Sequence, residues 1–139
     1  MQLVPYLSFN GQCEAAFRFY ETCLGAKITF MMTYGESPMA AETPPELSPK
    51  IMHATLSIGD QLVHGADGPP GQYQKPQGIS VALNMKAAEA ADAERIFKAL
   101  AENGEVQMPI QETFWAFRFG VVTDRFGTPW MINCEKPAS

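Results

Sequence analysis

Two histidines, three cysteines and one polar–aromatic step hold most of the reactive chemistry in this 139-residue chain. His53 lies within Ile51-Met52-His53-Ala54-Thr55-Leu56. An imidazole titrates near ~6.5, so in a pocket it can bind an anion or act as a base near neutrality. A strand histidine is also commonly a hydrogen-bonded structural group, and both readings of His53 stand. His64 reads as an exposed or ligand-edge position. Cys13, Cys23 and Cys134 lack CxxC spacing and have no recognisable histidine partner, which argues against a structural zinc or a thiol nucleophile. Unpaired cysteines fit a reduced, cytoplasmic setting. The step Gln111-Glu112-Thr113-Phe114-Trp115 is the strongest candidate for ligand contact, because small-ligand pockets set a few polar groups in an aromatic wall. The alternative is that Phe114, Trp115, Phe117 and Phe119 pack a sheet and a subunit contact while Glu112 is solvated. Trp130 and Asn133 either line the same cavity or finish the core.

Several function classes find no support. No Gly-x-Gly-x-x-Gly and no Gly-x-x-x-x-Gly-Lys-Ser/Thr is present, so nucleotide binding has no motif, and no Gly-x-Ser-x-Gly marks a serine nucleophile. A net charge of -5 and a pI near 4.9 argue against nucleic acid or an anionic membrane as partner. The apolar stretches fall short of the ~20 residues that span a bilayer. Met1-Gln2-Leu3-Val4-Pro5 has no basic region before an apolar one, so no signal peptide is expected.

The elements that position these residues follow from periodicity. Leu3–Phe9 reads as a strand closed by Asn10-Gly11. Cys13–Leu24 reads as a helix with Ala16, Phe19, Tyr20, Cys23 and Leu24 on one face, and Gly25 suits the residue after its end. Strands follow at Lys27–Tyr34, Ile51–Ile58 and Gln61–His64, the last two joined by Gly59-Asp60. Between them, Glu36–Pro49 carries four prolines and reads as a loop and a candidate lid, bordered by Tyr34 and Glu36. After a linker the plan repeats. Ile79–Met85 is a strand, and Ala88–Asn103 a helix with Ala93, Ile96, Phe97, Leu100 and Ala101 on one face, closed by Gly104. Strands then run over Glu105–Ile110, Phe114–Thr123 and Trp130–Cys134, with Asp124-Arg125-Phe126-Gly127 as a hairpin turn. Glu14-Ala15-Ala16 recurs as Glu89-Ala90-Ala91 at the matching place. The expectation is an α+β fold of two βαβββ modules with curved mixed sheets, at 1–66 and 78–139, joined by a linker at 67–77.

The segments Pro5-Tyr6-Leu7-Ser8-Phe9-Asn10-Gly11-Gln12, Ala15-Ala16-Phe17-Arg18-Phe19-Tyr20 and Gln111–Ala116 running on to Thr123–Asn133 carry a family resemblance. The chain resembles PhnB-like proteins of the vicinal-oxygen-chelate (glyoxalase/bleomycin-resistance) superfamily over nearly its whole length. The resemblance implies two modules forming a half-open cup and a homodimer. It also implies four metal-ligand positions, which fall at Pro5, Val63, Ser80 and Met131 and do not supply the usual His and Glu. A shift of one or two residues brings in only His64 and Asn133. No metal and no cofactor are therefore expected.

The leading expectation is a metal-free, small-molecule-binding protein, for a phosphonate-related or other small metabolite. Arg18, Arg118 and Arg125 are scattered and mark no oxyanion cluster. Two other classes stay open: a metal-dependent isomerase, lyase or dioxygenase of the superfamily, and a resistance-type sequestering protein. The expected ligand-binding residues are His53, Gln111, Glu112, Thr113, Trp115 and Trp130, in a pocket rimmed by the Glu36–Pro49 loop.

Overall fold

The computed structural model describes residues 1–138, which form two compact units, Met1–Lys75 and the residues from Pro76 onward. The first contains β1 (Tyr6–Phe9), α1 (Cys13–Leu24), β2 (Lys27–Thr33), β3 (Ile51–Ile58) and β4 (Gln61–Asp67). The second contains β5 (Val81–Met85), α2 (Ala90–Ala101), β6 (Glu105–Gln111), β7 (Arg118–Thr123) and β8 (Pro129–Cys134). Each unit is one four-stranded mixed sheet with a single helix, in the order β1-β4-β3-β2 and β5-β8-β7-β6. In both, the strand before the helix pairs parallel with the last strand and the other pairs are antiparallel. The α+β reading and the βαβββ repeat hold.

In the first unit α1 covers one face of the sheet, burying Cys13, Ala16, Phe17, Tyr20 and Cys23. This face lies one position round the helix from the expected one, since Phe19 and Leu24 are only half-buried and Phe17 is enclosed. The cause is Gly65 on β4. A Cβ there would stand 2.6 Å from the Phe17 ring, so the missing side chain is the socket the ring occupies. Gly120 on β7 holds Phe97 of α2 in the same way, at 2.5 Å. Gly25 closes α1 in the left-handed region (φ 66), as expected.

Local corrections have local causes. The start of α1 has no side-chain cap of its own; the Cys13 N–H donates instead to Oδ1 of Asp67, at 2.9 Å. The other oxygen of that buried carboxylate accepts from the Ile51 N–H at 2.9 Å, and β4 runs on to Asp67 rather than ending at His64. At the end of α2 the left-handed residue is Asn103 (φ 57), and Gly104 is needed because a side chain would meet the Thr123 carbonyl. β7 starts at Arg118, because Thr113 and Ala116 close a tight turn: the Thr113 N–H donates to the Ala116 carbonyl and the Ala116 N–H to Oγ1 of Thr113, both at 3.0 Å. The 36–49 segment is built from turns, with a short 3-10 turn at Tyr34–Glu36 leading into it and another at Ala40–Glu42. The Gly35 N–H donates to the Ser48 carbonyl, and Leu47 is buried.

Candidate functional site

Strand alternation sends successive side chains to opposite faces. In β3 and β4 the buried residues Ala54, Leu56, Val63 and Gly65 face α1. His53, Thr55 and His64 therefore stand on the uncovered face. Tyr6 joins them because β1 pairs parallel with β4 in a register that sets it beside His64. Phe30 comes from β2, whose pairing sets it against Thr55.

These residues form one cluster. The rings of His53 and His64 lie 4.9 Å apart and 40° from parallel. Tyr6 lies 5.8 Å from His53 and 6.2 Å from His64 by ring centres, and Phe30 lies 6.0 Å from His53. The Tyr6 hydroxyl is 3.3 Å from Nδ1 of His53, and the Thr55 hydroxyl is 3.0 Å from Nδ1 of His64. Burial, and then the neighbouring His64, hold the His53 imidazole below its ordinary pKa. Burial raises the Tyr6 phenol, with Cys13 adding to the shift, and burial and the Asp67 carboxylate raise Tyr34 nearby. Both phenols keep their protons at neutral pH, and His53 is favoured in its neutral form.

The remaining expected residues lie in the second unit. Gln111 ends β6 and pairs with Phe119. Glu112 makes an exposed 3.5 Å ion pair with Lys136, an arrangement of little energetic consequence. The Thr113 hydroxyl is engaged by the Ala116 amide. Trp115, half exposed, stacks edge-on between Phe114 at 4.8 Å and Phe119 at 5.1 Å, and Phe114 is 89% exposed. Trp130 is enclosed at 1% exposure and its Nε1 donates to Oδ2 of Asp124 at 2.9 Å, so it completes the core of this unit.

The four positions that the resemblance implies, Pro5, Val63, Ser80 and Met131, carry no imidazole or carboxylate. Val63 points under α1, and its neighbour His64 takes the uncovered side. Pro5 offers only its carbonyl, which accepts from the His64 N–H at 2.9 Å. Ser80 precedes β5, and Met131 is a thioether on β8. Among the described residues no group of three or more His, Cys, Asp or Glu could hold a metal ion.

Sequence reasoning named His53 and left out Tyr6 and Thr55. The Thr55–His64 pair was within its reach, since Ile58 and Gln61 flank the Gly59-Asp60 turn and counting back from them pairs Thr55 with His64. Tyr6 gave no such signal, because its neighbours come through a parallel pairing that no turn specifies.

The chain as a whole has relatives. The chain is 38% identical to Protein YjdN of Escherichia coli (strain K12), over 98% of its own length and 97% of that protein's. Protein PA1353 from Pseudomonas aeruginosa has a crystal structure that superposes with a TM-score of 0.88 at 46% identity, covering 99% of both chains. A Bacillus cereus structure described as a putative 3-demethylubiquinone-9 3-methyltransferase, PhnB protein, shares the fold, with a TM-score of 0.79 at 21% identity over 96% of this chain and 99% of that one. Residues 2–132 match the Glyoxalase/Bleomycin resistance protein/Dioxygenase superfamily, and the chain belongs to that superfamily.

Proposed function

We propose that this protein binds a small organic molecule on the uncovered face of its first sheet, without the superfamily's four-ligand metal centre. One observation carries the reading: two half-buried histidines with ring centres 4.9 Å apart, each with a hydroxyl at Nδ1, in an aromatic surround of Tyr6 and Phe30. Polar groups whose orientation is held by neighbours, on an otherwise apolar surface, are what a small-ligand site requires. The phenyl ring of Phe30 and the ring of Tyr6, 45% and 54% exposed, supply apolar area for the ligand body. The acting form is a homodimer, the commonest closed assembly, and the exposed Phe114, Trp115, Val106 and Met108 of the second unit are the apolar surface it would cover.

The test is a thermal-shift screen of small metabolites on the intact protein, followed by NMR mapping of each stabilising compound. Ligands are expected to perturb the ring signals of His53 and His64. Stabilising ligands that leave both rings unmoved would refute the site. Light scattering at micromolar concentration should give twice the 15.3 kDa chain mass. Stoichiometric Zn, Ni, Mn or Fe retained through purification would instead favour a metal-dependent isomerase, lyase or dioxygenase.

A further inference from the structure

We infer that the ligand of this face carries an oxyanion, gripped by the Nε2–H groups of His53 and His64. The inference rests on the binding site proposed above and names the chemical class it selects. It starts from the ring nitrogen that each hydroxyl engages. The Tyr6 phenol stays protonated and lies against Nδ1 of His53, while the Thr55 hydroxyl lies against Nδ1 of His64. A hydroxyl that donates to Nδ1 fixes the tautomer in which Nε2 bears the hydrogen. Neither Nε2 has a protein partner among the described residues. In that tautomer two N–H donors stand on adjacent rings, with no carboxylate bonded to either among the described residues.

The groups around the pair favour an anion over a cation. β1 contributes Tyr6, β2 contributes Phe30 and Met32, and β4 contributes His64 itself. The nearest buried carboxylate, Asp67, is directed away from this face by strand alternation and accepts from the Cys13 and Ile51 amides. The four arginines do not compete for the role: Arg18 pairs with Glu14, Arg95 with Asp92, Arg118 with Glu94 and Arg125 with Glu102. An oxyanion at Nε2 also favours protonation of the ring, turning a neutral donor into a charge-assisted one. Because the free His53 ring is held neutral by burial and by His64, anion binding should draw a proton from solution below neutral pH.

The experiment uses benzoate and phenylphosphonate as anionic probes, with benzamide as the neutral counterpart of benzoate. Each is titrated into the full-length protein by calorimetry at pH 6 and pH 8, and the histidine ring nitrogens are followed by NMR. The expected result is that an anionic probe binds at least tenfold tighter than benzamide, as a charge-assisted hydrogen bond permits. Binding should be tighter at pH 6, with uptake of a proton shown by the dependence of the heat on buffer. His53→Asn and His64→Asn should each weaken it about tenfold, with thermal unfolding confirming that both variants fold. Equal binding of benzoate and benzamide at the two rings would overturn the oxyanion and leave the binding face standing. Binding of either probe that leaves both ring signals unmoved would overturn both, and so would no binding of any probe. Anion binding that appears only after added Zn(II) would overturn the direct contact with imidazole.

Discussion

The fit of Phe17 against Gly65 gives a quantitative prediction about how the site is held. In Gly65→Ala the new methyl would stand 2.6 Å and 2.8 Å from two Phe17 ring carbons and 3.3 Å from the Leu7 carbonyl oxygen. Phe17 is fully enclosed and its ring is rigid, so the contact is relieved only by moving α1 or β4. Overpacking of this kind costs about 1–3 kcal/mol. Restricting the unfolded chain offsets about 0.4–1 kcal/mol, because Gly65 lies in ordinary strand conformation. The expected net loss is about 1–2 kcal/mol. It should appear in chemical denaturation as a lower midpoint with unchanged slope. Phe17→Leu leaves a partial void and destabilises on its own, but it opens room for the methyl. The double variant should therefore be more stable than the sum of the two single changes by about 1 kcal/mol, as touching residues couple on that scale. His64 adjoins Gly65 on the opposite face, so the single Gly65→Ala change should also shift the His64 ring signals. Additive losses, or a Gly65→Ala protein as stable as the parent, would refute the socket as the reason Phe17 faces the sheet.

Three further outcomes are expected. The depressed pKa of His53 means that its neutral form stabilises the fold fully above ~6.5, and that this contribution is lost as pH falls through the depressed folded value; thermal midpoints measured from pH 8 to pH 4 should drop less steeply in His53→Asn. Asp124 accepts from the Phe126 and Thr128 amides and from Trp130, so Asp124→Asn sets an amide N–H against the buried indole N–H and should cost about 1–3 kcal/mol. Much of that loss should be absent when Trp130 is already Phe, which denaturant titration of the four proteins would reveal. Burial, then Asp67, pushes the Cys13 thiol up, and burial, then Glu89, raises Cys134; a thiol reagent at pH 8 should react slowly with the native protein and titrate three thiols in guanidinium.

What was legible in the sequence was local. The span of α1, the left-handed Gly25 and the βαβββ order repeated on both sides of the linker follow from apolar period and turn chemistry, which operate between residues a few positions apart. The Ile58–Gln61 turn likewise sets Thr55 against His64. Tertiary structure decided the rest. Helical period alone allows the buried face of α1 to turn by one residue, and only the gap at Gly65 selects Phe17 over Phe19 and Leu24. Gln111-Glu112-Thr113 reads as a free polar step, yet the Thr113 hydroxyl is engaged in closing its own turn and Glu112 faces Lys136. Val63 and His64 are adjacent letters with opposite fates: pairing with Leu56 draws Val63 under the helix, and the alternation of the strand leaves His64 on the open side. Tyr6 reaches that side through a parallel pairing of β1 with β4, a contact set by burial of the whole helix–sheet layer and encoded by no turn or period in either strand.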